Sequence, residues 1–159
     1  MSEKMRILIG YDGSDCAEAA INDLGLAGLP DSAEAIVITV ADVFVPPPID
    51  KEIDNTFPFQ VPEGVKRAHE HAARELEKAR ALAQEASERV RKSFPGWSVS
   101  SEAYADSPAW AIINRADDWK PDLVVVGAKG MRGIDRILLG SVSAAVAARA
   151  HCSVEVVRS

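Results

Sequence analysis

Short apolar runs alternate with longer amphipathic stretches along the whole chain, and this alternation restricts the fold more than any other feature. Five runs are predicted as strands: residues 6–11, 35–41, 97–105, 121–126 and 153–158. Four stretches are predicted as helices: residues 16–27, 62–93, 108–119 and 142–150. Strands that alternate with helices indicate a parallel sheet covered on both faces, with right-handed crossovers. The sequence therefore predicts an α/β fold, while the pattern alone leaves the order of the strands open.

Length and composition favour one ordered domain over residues 1–159. Hydrophobic residues make up 47% of the chain and charged residues 26%, which suffices for a core and argues against disorder. The net charge is −6 and the pI is about 5.1, which argues against a nucleic-acid partner or an anionic membrane surface. Neither a signal peptide nor a transmembrane span is visible, so we expect a cytoplasmic protein. Cys16 and Cys152 are isolated and fit buried free thiols in a reducing compartment.

Two segments need separate interpretation. Residues 42–60 contain four of the nine prolines, which forbid a regular helix or central strand, and we expect a proline-rich loop that becomes ordered when a ligand binds. Its phenylalanines, Phe44, Phe57 and Phe59, suggest that part of the loop packs on a surface. The apolar stripe of residues 62–93 is dominated by alanine, which favours a helix packed on the sheet over the alternative of a coiled-coil seam.

A glycine-rich loop between the fourth strand and the last helix indicates an anion site. Gly127 and Gly130 follow the strand, and Gly140-Ser141 precedes the helix. Glycines allow close backbone approach, and a helix N-terminus offers unpaired N–H groups and the positive end of its dipole. Lys129 and Arg132 add positive charge. The predicted ligand is a phosphate chain, and Ser141 could cap its own helix, bind a phosphate oxygen, or do both.

The spacing of these residues supports a family assignment. Gly127, Gly130, Gly140 and Ser141 follow the pattern G-x2-G-x9-G-S/T, and the segment resembles the nucleotide-binding motif of the universal stress protein family. Residues 7–14, Ile-Leu-Ile-Gly-Tyr-Asp-Gly-Ser, resemble that family's first strand and turn, and residues 152–158 resemble its last strand. The resemblance implies an open, Rossmann-like sheet of five parallel strands in the order 3-2-1-4-5.

The resemblance also implies an adenine-nucleotide site in a stress-response module, with ATP or a related nucleotide as the ligand and Mg²⁺ accompanying its phosphates. If the first and fourth strands are neighbours, Asp12 would contact the ribose or the adenine amino group, away from the phosphates. Asp12 could instead serve only a D-G-S turn. Val40 and Ala41 would flank the base, or would simply be core residues. The predicted binding residues are Asp12, Val40, Ala41, Gly127, Lys129, Gly130, Arg132, Gly140, Ser141 and Val142.

Binding without appreciable turnover is the predicted activity, because the motifs contain no general base, nucleophile or metal-binding carboxylate pair. His69, His71 and His151 are interpreted as surface or packing residues. The alternatives are a weak nucleotide hydrolase and a dimeric scaffold that binds no nucleotide. A homodimer through the last strand is expected, although Glu155 stands where the family often has an apolar residue. Tyr11 is bulkier than usual for its position and could stack on a base or obstruct it.

Overall fold

A computed structural model describes residues 3–48, 60–130 and 139–159. The strands are β1 Met5–Gly10, β2 Ala33–Ala41, β3 Ser98–Ala105, β4 Leu123–Gly127 and β5 Ser153–Val157. The helices are α1 Asp15–Asp23, α2 Glu63–Ser93, α3 Pro108–Trp119 and α4 Ser141–Arg149. Every predicted strand and helix is present in the predicted order.

The sheet is parallel throughout and its strand order is β3-β2-β1-β4-β5, which confirms the α/β prediction and the order that the family resemblance implied. The chain winds outward from β1 in one direction to β3, then returns to β4 on the other side of β1. The order therefore reverses beside β1. In open α/β sheets, the crevice beyond the carboxyl ends of the strands at such a reversal is the usual ligand site.

Two apolar clusters cover opposite faces of the sheet. One contains Ile7, Ile9 and Val37 together with residues of α1 and α2. The other contains Leu8 and Val124 together with residues of α3 and α4. Successive residues of the central strands contribute their side chains alternately to the two clusters. Residues with β-branched side chains are buried on both faces, as expected for a parallel sheet.

The first two helices differ in how well the sequence predicts them. Helix α1 ends at Asp23, four residues before its predicted end near Ala27, because residues 24–28 form turns and Gly28 adopts a φ of +67°. Helix α2 runs to Ser93 as predicted and packs on β2 and β3, so the prediction of a helix packed on the sheet is confirmed.

The proline-rich loop falls largely outside the described residues, since residues 49–59, including Phe57 and Phe59, are among those the structure does not describe. The side chain of Phe44 is 77% exposed, so the expected packing of that phenylalanine is wrong. Cys16 is buried and Cys152 half-buried, and both are free thiols, as predicted. Within the described ranges, no helix is both long enough and apolar enough to cross a membrane.

Candidate functional site

A cleft of about 670 Å³ lies at the carboxyl edge of the sheet, where the strand order reverses. Its walls come from the ends of β1, β2 and β4, the side of α2, and the N-terminus of α4. Nine of the ten predicted binding residues line it: Asp12, Val40, Ala41, Gly127, Lys129, Gly130, Gly140, Ser141 and Val142. The tenth, Arg132, lies outside the described residues.

The turn after β1 shapes the floor of the cleft. Asp12 Oδ1 accepts a hydrogen bond from the Ser14 N–H at 2.9 Å, and Gly13 between them has a φ of +79°. Ser14 is the N-cap of α1, and its hydroxyl oxygen accepts from the Ala17 N–H at 3.2 Å. The predicted D-G-S turn is therefore formed, and it occupies only one of the two carboxylate oxygens of Asp12.

The second carboxylate oxygen of Asp12 lies against the glycine loop. Asp12 Oδ2 is 2.9 Å from the position that a Cβ would occupy at Gly130, so the absence of a side chain there makes room for the carboxylate. The Ser14 hydroxyl also approaches the Lys129 carbonyl at 3.3 Å and ties the turn to the same loop. The expectation that Asp12 lies away from the phosphate loop is therefore wrong, because the turn folds its carboxylate back toward β4.

The entrance to α4 is fixed by the carbonyl oxygen of Ala128. This oxygen accepts from the Gly140 N–H at 2.6 Å and from the Ser143 hydroxyl at 2.7 Å. Ser143 is 2% exposed, and it holds the helix start against the end of β4. Ser143 also lines the cleft, and the glycine motif, which ends at Ser141, does not identify it.

Helix α4 begins without a side-chain cap. Gly140 is its N-cap, and its first backbone hydrogen bond runs from the Ala144 N–H to the Gly140 carbonyl at 3.0 Å. Ser141 is the first helical residue rather than the cap, so the hypothesis that it caps its own helix is wrong. Ser141 and Val142 instead line the cleft at the positive end of the helix dipole.

The comparisons with known proteins agree with this geometry. The profile of the universal stress protein family matches residues 4–158. The chain belongs to this family. Universal stress protein MJ0531 of Methanocaldococcus jannaschii is 35% identical to it over 158 residues, covering 96% of this chain and 81% of that protein.

Two solved structures illustrate the shared fold. UspA from Lactobacillus plantarum has a TM-score of 0.75 with this universal stress protein at 24% identity, and the match covers 99% of this chain and 100% of that chain. A universal stress protein solved in complex with cAMP has a TM-score of 0.60 at 25% identity, covering 99% of this chain and 98% of the other.

Gly127, the first glycine of the family motif, is required by packing as well as by position. A Cβ at this residue would lie 2.8 Å from the Ala17 nitrogen and 2.9 Å from the Cys16 Cβ. Both distances are shorter than van der Waals contact, so any side chain at Gly127 would push α1 away from β4. The glycine therefore permits close contact between α1 and β4 at the edge of the cleft.

Tyr11 lines the cleft in this universal stress protein. The residue is 7% exposed, and its hydroxyl donates to Glu18, whose carboxylate also pairs with Arg89 at 2.6 and 2.9 Å. Burial, followed by the hydrogen bond and the charge of Glu18, raises the pKa of Tyr11 to about 12, while Arg89 opposes the shift. The hydroxyl is thus held between α1 and α2.

The α2 side of the cleft was not predicted from the sequence. Four residues of this helix line it: Glu75, Lys78, Ala79 and Leu82. Lys78 Nζ lies 2.7 Å from Glu75 Oε1, and this contact lowers the pKa of the Glu75 carboxyl. An amphipathic helix presents one apolar stripe to the sheet, and the sequence does not show which of its turns will overhang the strand ends.

Proposed function

We propose that this universal stress protein binds an adenine nucleotide, with ATP as the preferred ligand, and acts as a regulatory module whose output depends on occupancy. The observation that carries the proposal is that distant segments of the chain meet at one cleft. Segments around residues 12, 40, 127–130 and 140–143 lie apart in the chain, and each supplies a wall of the same cleft. The solved relative with cAMP, at 25% identity, supports an adenine nucleotide as the ligand class.

The phosphate chain would lie between the glycine loop and the start of α4. The N–H groups of the first turn of α4, the Ser141 hydroxyl and the Lys129 cation suit an anion there. Gly130 and Gly140 allow this loop to pack closely, since a Cβ at Gly130 would lie 2.9 Å from Asp12 Oδ2 and one at Gly140 would lie 3.2 Å from the Ala128 carbonyl oxygen.

Mg²⁺ would be held chiefly by the phosphates. Within the described ranges, no group of three or more His, Cys, Asp or Glu side chains could hold a metal ion. The Oδ2 atom of Asp12, which lies against Gly130, is the protein oxygen best placed to join it. One carboxylate together with phosphate oxygens is a common environment for Mg²⁺.

The nucleoside would lie toward β2. Val40 and Ala41 border this end, and Ile38, Ile112 and Val126 give it an apolar wall on the α3 side. Apolar walls with a few placed polar groups are typical of small-molecule sites. We propose binding without rapid turnover, in a cytoplasmic, dimeric protein.

Thermal unfolding with and without ATP and Mg²⁺ tests the proposal. A ligand at about 100 times its Kd stabilises the folded state by roughly 2.7 kcal/mol, which gives a clear rise in Tm. Gly140→Val should abolish the rise, because its branched side chain would press on the backbone of Ala128 and Lys129 and displace the phosphate-binding loop. Ser141→Ala should only reduce it, because one hydrogen bond contributes about 1 kcal/mol.

Gly25→Val is the matched control. It makes the same substitution at an exposed position outside the cleft, where a Cβ meets no atom within 4 Å. Its ATP response should equal that of the parent, and circular dichroism should show both variants folded. If millimolar ATP leaves the parent's Tm unchanged and calorimetry detects no heat, the protein is not an ATP-binding module and the scaffold alternative replaces this proposal.

A further inference from the structure

Lys78 gives the cleft a second cation, on the wall formed by α2. Of the described residues that line the cleft, Lys78 and Lys129 are the two with basic side chains, whereas three carry carboxylates: Asp12, Asp42 and Glu75. These five side chains leave the described lining with one more negative charge than positive. A phosphate chain bears several negative charges, so each cation within its reach has a large effect on how tightly it binds.

The direction of α2 brings its N-terminal half over the cleft. The helix follows β2 and precedes β3, and these two strands are parallel, so α2 runs back from the carboxyl edge of the sheet toward the amino edge. Beyond the carboxyl ends no strand separates the two faces of the sheet. Residues of α2 and of the N-terminus of α4 therefore line the same cleft, although these helices cover opposite faces.

Contacts around the D-G-S turn locate Lys78 with respect to the glycine loop. A methyl group of Leu82 lies 3.7 Å from the position that a Cβ would occupy at Gly13. The preceding residue, Asp12, has its Oδ2 atom 2.9 Å from the corresponding position at Gly130. Lys78 precedes Leu82 by four residues, about 6 Å of helix, on the same side of α2. It therefore lies beyond the turn, over the cleft and on the side where the turn meets the glycine loop.

The present partner of Lys78 is one that a phosphate can replace. Its Nζ atom lies 2.7 Å from Glu75 Oε1, and the two side chains are 71% and 30% exposed. Exposed ion pairs contribute little to stability, and one carboxylate offers a single negative charge where a triphosphate offers several. The flexible four-carbon stem of a lysine lets its ammonium group change partner without movement of the backbone.

We propose that Lys78 exchanges Glu75 for the phosphate chain of the nucleotide, so that the phosphates are held between this ammonium group and the start of α4. This inference rests on the proposed nucleotide function and adds a residue that selects ligands by their phosphates. Glu75 then opposes binding, because its carboxylate competes for the ammonium group and repels the phosphates.

Lys78→Gln tests this inference, because it removes the charge and retains a long side chain of similar helix propensity. ATP affinity measured by calorimetry should fall about fivefold, and the loss should shrink at high salt. Affinity for adenosine, measured by its displacement of ATP, should be unchanged because adenosine carries no phosphate. Glu75→Gln should raise ATP affinity, and Lys78→Arg should keep most of it.

Arg80→Gln is the matched control. Arg80 forms an i,i+3 ion pair with Glu77 on the same helix, at 3.4 Å, and both side chains are exposed. It lines a groove between α2 and β3 instead of the cleft. This variant should bind ATP as tightly as the parent does, and the ligand-free Tm of both glutamine variants should match that of the parent because the ion pairs that they remove are exposed.

Three results would overturn the inference while leaving the proposed function in place. The first is a parent that binds ATP and a Lys78→Gln variant that binds it equally well. The second is an equal loss of affinity in Arg80→Gln, which would reduce the effect to the net charge of the helix. The third is an equal loss for adenosine, which would move the contact to the nucleoside. If the parent itself binds no ATP, the proposed function fails first and this inference fails with it.

Discussion

Tyr11 is the residue whose environment most clearly predicts a pH effect. Its pKa of about 12 in the folded protein lies above the ordinary value of 10.0, because the phenol is buried and donates to the Glu18 carboxylate. A raised pKa means that the folded state favours the protonated form. The resulting stabilisation is fully present below pH 10 and is lost as the pH rises through about 12.

Tyr11→Phe should therefore be less stable than the parent at pH 8, and the difference should shrink as the pH approaches 12. Urea unfolding at a series of pH values measures this difference in stability. In an alkaline titration followed by absorbance, the parent should show a tyrosine that ionises at unusually high pH, and the Tyr11→Phe variant should lack it. Tyr104→Phe is the comparison: Tyr104 is 39% exposed, and partial burial with its hydrogen bond to Glu102 raises its pKa too, so a smaller pH dependence of the same sign is expected there. A difference that stays constant with pH would contradict the assigned role of the Tyr11 hydroxyl.

For individual residues, the sequence identifies those that belong to a motif with a fixed spacing. It does not identify residues that are brought together only by the folding of distant segments. The glycine segment and the D-G-S turn supplied seven of the residues that line the cleft, and the family resemblance added Val40 and Ala41. Lys78 lines it too, but nothing in the sequence of α2 distinguishes it from the other charged residues of that helix. The bond from Ser143 to Ala128 spans 15 residues, and the sequence does not indicate that the loop between them closes.

Among the elements, the contact between α1 and β4 depends on one glycine. A Cβ at Gly127 would meet backbone atoms of Ala17 and Cys16 at 2.8 Å, and backbone cannot rotate away as a side chain can. Gly127→Ala should lower the free energy of unfolding by about 1–3 kcal/mol, which is typical of overpacking. Chemical denaturation measures the change.

The same substitution at Gly64 provides the comparison. Gly64 lies in the first turn of α2, where a Cβ meets no atom within 4 Å, so Gly64→Ala should be neutral or stabilising by up to about 1 kcal/mol. Equal effects of the two variants would show that α1 can move away from β4 without cost.

The ends of elements were predicted less well than their identities. The start of α1 is set locally by its Ser14 cap, which the sequence displays. Its end depends on Leu24, which is 1% exposed and packs into the core as the chain turns. A helical periodicity that continues through residue 27 cannot show that tertiary packing stops the helix earlier.

At the scale of the whole molecule, alternation of strands and helices determines a parallel sheet but not the strand order. The order came from the family resemblance, because swapping the positions of two buried apolar strands changes no local pattern. The location of the cleft follows from that order. The sequence alone therefore predicts an anion-binding loop, and only the order of β1, β2 and β4 joins it to Asp12 and Val40.

Strand β5 is the last strand of the sheet, and we predict that two copies of the chain pair antiparallel through it. Glu155 is central to this prediction. Burial and the nearby charge of Asp23 raise the pKa of its carboxyl, so its ionised form is disfavoured before any second copy approaches. A two-fold axis near this residue would bring two such carboxylates together, which weakens pairing.

Sedimentation should give twice the chain mass of 17.1 kDa at micromolar concentration. Glu155→Gln should strengthen the dimer at pH 7, because it removes the charge and keeps the shape, whereas Val156→Lys should dissociate it by placing a cation on the edge strand. Val156 also packs against the α3–α4 cluster, so circular dichroism must show that the lysine variant remains folded.

A parent mass of 17.1 kDa would exclude the dimer. A dissociation constant unchanged by Glu155→Gln would contradict the role assigned to the Glu155 charge, and a dimer that a folded Val156→Lys variant still forms would place the interface on another surface.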